Sequence, residues 1–399
     1  MISFKTALHK VLDNIQDYGN EYVDLMQSNN RILAETILAD RDFPPFDRAT
    51  KDGIAICFNG ILSPDQTFKA TGIAQAGSPQ EVLEKNTECI EVMTGAMVPE
   101  HADTVVMYEH INAEHGTFSL LKPVTKGQNI HYKGSDVAIS DVLLKPGIQI
   151  TAAEIGVLAS VGKSEVLVKK LPKIAVIATG NELVGVEEKP LPYQIRKSNS
   201  FTLKGLLIKE SISADLYHLA DNPDVLKKKL EVLITDYDVL LLSGGVSKGK
   251  FDFLPETFNT LGVEKIFHKV LQRPGKPFWF GKLKSKSTTI FSFPGNPVST
   301  FVNYHVYFKP WLNKTLGIAT TEFAVFLNEP IHNKTELTLF IGVIISKING
   351  EMFAKMLKTT GSGDLIGLSK VDGFIQLSPK EELDEGKKLV PFIPTRRII

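Results

Sequence analysis

Val239-Leu-Leu-Leu-Ser-Gly-Gly-Val-Ser-Lys-Gly-Lys-Phe-Asp252 is an apolar run that ends abruptly in small, polar and charged residues. Large aliphatics followed by Ser243-Gly244-Gly245 read as a buried parallel strand that delivers its C-terminal end into a loop. Open α/β sheets bind ligands at that end. The two glycines can take positive φ and present consecutive backbone N–H groups, Ser243 and Ser247 add hydroxyls, and Lys248 and Lys250 add positive charge. Such a loop suits an anion. It is equally a plain Gly-rich strand-to-helix turn until its neighbours are read.

The neighbours repeat the pattern. Ile174-Ala-Val-Ile-Ala reads as a strand ending in Thr179-Gly-Asn-Glu-Leu183, and Ser198-Asn199 could cap a helix through Lys209. Asp215 to Leu219 reads as a strand ending in Ala220-Asp221, and Asn222-Pro223 supplies an N-cap and an N1 proline for a helix over Asp224 to Ile234. Thr289-Ile-Phe-Ser-Phe ends in Pro294-Gly-Asn-Pro297, where Asn296 and Pro297 make a second such pair, opening an apolar helix over Val298 to Trp311. Three strands thus end in Gly-containing loops beside two helix N-termini. Backbone donors and helix dipoles converging on one sheet edge favour an anion or phosphate site.

Outside this α/β segment the character changes. Phe4, Leu8, Val11, Leu12 and Ile15 recur at helical spacing, and a second helix is expected around Ser28 to Ala39. Phe43-Pro-Pro-Phe marks a boundary, because two prolines forbid helix. From there to about residue 140, short alternating strands with turns at Gly60, Gly72, Gly77, Pro99 and Gly116 argue a β-rich module. Within it, Asp47 and Asp52 read as solvated turn carboxylates, and Met93 to Asp103 as a long irregular loop. Thr151-Ala-Ala-Glu154 is a capping box for a helix that reaches Ser160, with Gly162 as its stop. Residues 320 to 399 return to strand alternation, which fits a small all-β domain, closed or sandwich-like.

The expected fold is therefore α/β and β multidomain. Its parts are a discontinuous N-terminal domain (1–42 and 143–171), a β-rich inserted domain (43–142), an α/β domain with a mostly parallel sheet (172–318) and a C-terminal β-barrel (319–399). A chain of 399 residues has room for several cores, since single cores stop growing at roughly 250–300 residues.

Composition narrows the function. The 45 basic and 45 acidic side chains cancel, so no global field recruits nucleic acid or an anionic membrane, and any anion binding is local. No apolar run approaches the ~20 residues of a membrane span, and the amphipathic N-terminus is no signal peptide. Two cysteines, Cys57 and Cys89, exclude a disulfide framework and a multi-cysteine zinc site and fit a reducing, cytoplasmic setting. GxxxxGK[ST] and a GxGxxG opening a βαβ unit are both absent, which weakens nucleoside triphosphatase and dinucleotide readings. The histidines make no zinc motif. Carboxylates cluster at strand ends: Glu182, Asp221 and Asp252. Around an anion loop they imply an intervening cation, and hard oxygen ligands favour Mg²⁺; each could instead cap a helix. Lys248, Lys250 and the rigid turn Arg273-Pro-Gly-Lys276-Pro277 bring positive charge. The residues by themselves lead to a metal-assisted enzyme acting on a phosphorylated small molecule.

Taken together in order, Pro45-Phe-Asp-Arg-Ala-Thr-Lys-Asp-Gly53, Met93-Thr-Gly-Ala96, Gly134-Ser-Asp136, Thr179-Gly-Asn-Glu-Leu183, Ser198-Asn199, Ser243-Gly-Gly-Val-Ser247, Arg273-Pro-Gly-Lys-Pro277 and Pro294-Gly-Asn-Pro-Val-Ser299 resemble the molybdopterin molybdenumtransferase family. These are the molybdate-inserting enzymes of molybdenum cofactor synthesis, related to the E domain of gephyrin. The resemblance implies a reaction in which adenylylated molybdopterin and molybdate are converted, with a divalent cation such as Mg²⁺, to molybdenum cofactor and AMP. It implies that Glu182, Asp221 and Asp252 serve the cation and the adenylylated pterin. Thr179, Gly180, Ser198, Asn199, Ser243, Gly244, Gly245, Ser247, Pro294, Gly295, Asn296, Pro297 and Ser299 would hold pterin and phosphates. Arg273 and the catalytic Lys276 would face molybdate or phosphate charge. Asp52, Thr94 and Asp136 would come from the second domain of a homodimer partner, reversing the solvated-turn reading of Asp52, with the active site between subunits.

Three positions depart from the family pattern. Lys51 adds a charge within Ala49-Thr-Lys-Asp-Gly53, where Ser-Ala-Met-Asp-Gly is usual. Arg273 replaces a common lysine, which keeps the charge and changes the hydrogen-bond geometry. Asn181 replaces a frequent aspartate and removes one possible metal ligand. A pterin adenylyltransferase shares the α/β domain and its loops but lacks the other domains, and is a conceivable partner for substrate transfer. A scaffold, the use to which a eukaryotic relative puts this module, is the reading from another class.

Overall fold

The protein is described here by a computed structural model over residues 1–246, 252–383 and 388–396. It separates into two compact units, one formed by Met1–Ala34, Gly147–Thr151 and Glu165–Ile399, the other by Glu35–Pro146 and Ala152–Ser164.

The first unit is built on a six-stranded sheet in the order Ala214–Leu219, Ile174–Thr179, Val239–Ser243, Thr288–Phe293, Trp279–Leu283, Glu264–His268. The first four strands are parallel and the last two antiparallel. The three central parallel strands are buried along their whole length, which explains runs of apolar residues without alternation. Successive side chains nevertheless serve opposite faces. Val176 and Leu241 pack on one side with Leu203 and Phe291. Ile177 and Leu242 pack on the other with Leu226 and Leu230. Each such side chain contributes about 1.5–3 kcal/mol on burial.

Helix starts follow the sequence. Asn222 Oδ1 accepts from the N–H groups of Asp224 and Val225, opening Pro223–Asp236. Ser198 makes no capping bond through its side chain to Asn199–Lys209, so its expected cap is not used. The apolar helix after Pro297 is longer than expected: Pro297–Asn303 passes through a π turn at Tyr304–Phe308 into Lys309–Leu316, and Gly317 ends it with φ 73°.

The C-terminal strands close into a barrel. Thr338–Ile348 pairs with Glu351–Met356, which pairs with Phe323–Leu327, then Val390–Pro394, then Gly373–Leu377, which returns to Thr338–Ile348. Four of the five pairings are antiparallel and one, Phe323–Leu327 with Glu351–Met356, is parallel; closure removes the free edges of this small mixed sheet. Val270–Arg273 adds to this barrel as a parallel strand, with Arg273 opposite Leu339, and Ile2–Ser3 adds outside it. Helix Phe4–Leu12 follows, with Ser3 Oγ accepting from Thr6 N–H at 3.1 Å.

The second helix expected over Ser28 to Ala39 does not form. A 3₁₀ turn at Leu25–Ser28 gives way to extended chain, because Ile32 and Leu33 bridge to Gln149 and Val168 and Ile37–Leu38 is a strand. The backbone donors of Leu33 and Ala34 go to Ile148 and Leu167. Long-range pairing outweighs a helix-like spacing of apolar residues here.

The second unit carries a six-stranded sheet in the order Thr104–Met107, Gly53–Ile56, Glu88–Val92, Thr67–Ala74, Thr117–Leu120, Ile111–Glu114. Gly72 marks no turn: it lies inside Thr67–Ala74 at a register shift. Helix Ala152–Ser160 belongs to this unit, and Gly162 follows it with φ 73°.

Candidate active site

Parallel register sets the site. Ala178 lies opposite Ser243, Ser243 opposite Phe293, and Thr179 opposite Leu219, so these strands all deliver their ends at one level. The loops that follow line a cleft of about 900 Å³, ample for a substrate larger than a nucleotide. Gly244 turns at φ 106°, where a Cβ would meet Thr179 O at 2.7 Å; any side chain there would have to displace backbone. At Gly180 the backbone turn itself, at φ 144°, favours glycine, since the atoms nearest a Cβ there belong to the movable Glu182 carboxylate.

A hydrogen-bond web fixes these loops to one another. Asn199 Nδ2 donates to Ser243 Oγ at 2.8 Å and to Gly295 O at 2.7 Å. Ser243 Oγ also meets Thr300 Oγ1 at 3.3 Å, and Thr300 Oγ1 donates to Pro294 O at 2.7 Å. Asn199 thereby brings together two other predicted residues, Ser243 and Gly295, and Thr300, which sequence reading passed over, ties Ser243 to Pro294. The N–H of Gly244 is spent on Phe293 O at 3.1 Å, so it is not among the donors that the paired glycines offer a ligand. Thr179 lines the cleft, and its Oγ1 is buried with no protein partner, a polar atom that a ligand could satisfy. Ser299 is buried, and Asn296 and Pro297 line the mouth. Ser247, with Lys248 and Lys250, lies outside the described residues.

The carboxylates sense one another. Glu182, Asp221 and Asp252 all line the cleft. Asp221 is pushed above the usual carboxylate range, first by burial, then by the negative charge of Glu182, with Asp252 adding to it. Asn181 has a structural role, since its Oδ1 accepts from Asp221 N–H at 3.1 Å. An all-oxygen set of mutually repelling carboxylates fits a hard divalent cation, whose charge would relieve the repulsion. Among the described residues no three His, Cys, Asp or Glu side chains are already drawn together as metal ligands.

Positive charge also lines the cleft. Arg273 and Lys276 are exposed and line the cleft. Their turn is held from beneath by buried Gln272, whose Nε2 donates to Pro274 O at 2.9 Å and to Asn303 Oδ1 at 2.8 Å. Asn303 Nδ2 returns a bond to Gly275 O at 3.3 Å, and Tyr307 OH donates to Gln272 Oε1. The sequence signal was available: a Gln and an Asn inside otherwise apolar surroundings.

The barrel supplies a wall that sequence reading did not assign. Leu337, Leu339, Ile341, Leu357 and Phe374 line the cleft. Asn296, expected as a helix cap, makes no capping bond through its side chain; its Nδ2 donates to Ser362 Oγ at 2.8 Å. Ser362 O accepts from Val298 N–H at 3.1 Å.

In the second unit, Asp52 is no free turn carboxylate. Thr94 Oγ1 donates to its Oδ1 at 2.7 Å and Thr94 N–H at 2.6 Å, and the side-chain bond leads in holding its carboxyl below the usual range. Asp136 Oδ1 meets His131 Nε2 at 2.8 Å, and His131 Nδ1 faces Arg48 Nη2 at 3.0 Å. Lys51 is exposed beside Asp52; nothing in the structure explains its charge there.

Fold and cleft together define a multidomain α/β class of protein, with a cleft at the strand ends lined by Gly-containing loops, carboxylates and basic side chains. Residues 2–162 match the family described as the MoeA N-terminal region (domain I and II), and residues 175–314 match the probable molybdopterin binding domain. The molybdopterin molybdenumtransferase of Synechocystis sp. is 36% identical over 396 residues, 98% of this chain and 99% of the relative. The protein of the same name from Staphylococcus epidermidis is 34% identical over 323 residues, 79% of this chain and 76% of its own. The crystal structure of the molybdopterin biosynthesis moeA protein from Pyrococcus horikoshii OT3 superposes with a TM-score of 0.81 at 28% identity, over 98% of this chain and 100% of that one. The chain belongs to the molybdopterin molybdenumtransferase family.

Proposed function

We propose that the cleft at the strand ends binds adenylylated molybdopterin and that the enzyme inserts molybdate with release of AMP, giving molybdenum cofactor. The observation that carries this reading is the meeting, in one cleft, of the Gly244-Gly245 loop, the Asp221 carboxylate group and the Arg273–Lys276 turn. A pterin adenylyltransferase or a scaffold leaves unexplained a match to molybdenumtransferases along almost the whole chain.

In this reading the backbone at Gly245 and the Pro294–Ser299 loop seat the phosphates, the buried Thr179 hydroxyl binds the ligand, and Arg273 and Lys276 compensate phosphate or molybdate charge. The apolar barrel wall excludes water from the phosphoanhydride. Glu182, Asp221 and Asp252 would hold Mg²⁺, which polarises and neutralises the phosphate oxygens. Asp52, Thr94 and Asp136 of a second copy complete the site in a homodimer. Cys57 and Cys89 are free thiols, which suits a reducing cytoplasm, and among the described residues no helix is long and apolar enough to cross a membrane.

The test mixes the protein with adenylylated molybdopterin, molybdate and Mg²⁺. AMP release with formation of active cofactor is expected; substrate left intact after long incubation overturns the assignment.

A further inference from the structure

A second cavity, of about 100 Å³, lies where the end of helix Asn199–Lys209 approaches helix Lys309–Leu316, strand Glu165–Lys169 and the segment Asn30 to Ile32. It shares no lining residue with the cleft. Its charged lining is lopsided: Arg31, Lys169, Lys209 and Lys309 against Glu210 alone. Glu210 pairs with Lys309. From outside the lining, Glu21 pairs with Arg31 at 2.5 Å. Asp17 reaches Lys169 only at 3.5 Å and is 71% exposed, so that pair is weak. Lys209 makes no ion pair among the described residues.

A second observation points to a ligand. Arg31 is 8% exposed, and its Nε is buried with no protein acceptor. A buried charged donor without an acceptor is costly and rare. Buried His305, near Lys209 and Lys309, reports the same surplus of positive charge: it is pushed down to about 3, by burial first and then by those two lysines. The carbonyl end of the Asn199–Lys209 helix opposes an anion, as does the unpartnered Asn313 Oδ1; the cations outnumber both.

We propose that this cavity binds one tetrahedral oxyanion of the phosphate or sulfate class, held by Arg31, Lys209 and Lys309. Ligand sites for nucleotides and drug-sized molecules run to roughly 300–1,000 Å³, so a nucleotide or pterin is too large. The helix Asn199–Lys209 begins at the cleft and ends at this cavity, about 16 Å away by its rise per residue, so the two sites can be read separately.

The experiment uses inorganic phosphate with the full chain, following melting temperature and binding stoichiometry, together with a selenate soak whose anomalous signal locates the anion. Wild type and Lys276→Ala, which weakens the cleft for anions, should both rise in melting temperature with phosphate. Lys209→Gln, an exposed position, added to Lys276→Ala should lose the rise that Lys276→Ala alone shows, and Lys209→Gln by itself should bind one phosphate fewer than wild type. Selenium density beside Arg31 is expected. An equal phosphate response in Lys276→Ala with and without Lys209→Gln, or water alone in the cavity after the soak, overturns the proposal.

Discussion

Asn199 Nδ2 lies 2.8 Å from Ser243 Oγ and 2.7 Å from Gly295 O, so one side-chain amide joins the first turn of a helix to the ends of two strands. Replacing it by leucine leaves a buried serine hydroxyl and a loop carbonyl short of a donor. A loss of about 1–3 kcal/mol is expected, measured by urea unfolding. Substrate KM should rise more than kcat falls if the bond positions the loops; equal unfolding midpoints for variant and wild type would remove the bond from the account.

Gln272, Asn303 and Tyr307 form the buried support of the Arg273–Pro277 turn. Asn303→Leu strips Gln272 Nε2 of one of its two acceptors and Gly275 O of its donor, and a destabilisation of about 2–4 kcal/mol follows from the two lost buried bonds. Activity should fall further than stability predicts, because Arg273 and Lys276 lose their aim. Kinetics at a temperature where the variant is fully folded separate the two effects, and unchanged turnover there would confine the network to stability.

Asp221 is raised by burial and by Glu182, so the folded chain holds this proton more tightly than the unfolded chain does. That stabilising contribution is complete below the ordinary carboxylate value and is lost as pH rises through the raised one. Asp221→Asn cannot ionise. At pH 7 it should melt about 1 °C above wild type, the scale of a partly screened repulsion, with the gap closing near pH 4. Mg²⁺ should raise the melting temperature of wild type more than that of the variant; an equal rise would remove Asp221 from the cation site.

Thr94→Val deletes the hydroxyl that donates to Asp52 and keeps the backbone donor. The carboxyl should rise toward its ordinary value without reaching it, as followed by carbon-detected NMR titration. The acid limb of stability moves with it: a depressed carboxyl stabilises above the unfolded value and loses that contribution as pH falls through the folded one. An unmoved titration would assign the depression to the backbone bond alone.

What the sequence disclosed was local. Val239 to Ser243 had to be a buried strand because four aliphatics without alternation need cover on both faces, and Asn222-Pro223 carried its own capping chemistry. What stayed hidden depends on partners distant in the chain. Ile32, Leu33 and Ile37 are spaced like a helix face, yet their backbone pairs with residues more than a hundred positions away. Arg273 beside Leu339 brings the barrel to the cleft, and no local pattern announces a parallel pair across that interval. Asn296 and Ser198 looked like caps by residue type; the first is drawn to Ser362 by a tertiary bond, and the second makes no side-chain cap bond.

The proposed sharing of the site between two copies has its own test. Glu182 belongs to the unit that carries the cleft and Asp52 to the other unit. If one copy contributes Glu182 and its partner contributes Asp52, then Glu182→Gln and Asp52→Asn homodimers should each lose at least tenfold in turnover, since each lacks one group from both of its sites. A mixed dimer holds one site with both changes and one with neither. Unfolding and refolding the two variants together at equal concentration should therefore restore about a quarter of wild-type activity, because half of the dimers are mixed and each has one intact site. Activity that stays at the level of the separate variants would place both residues in a site made by a single chain.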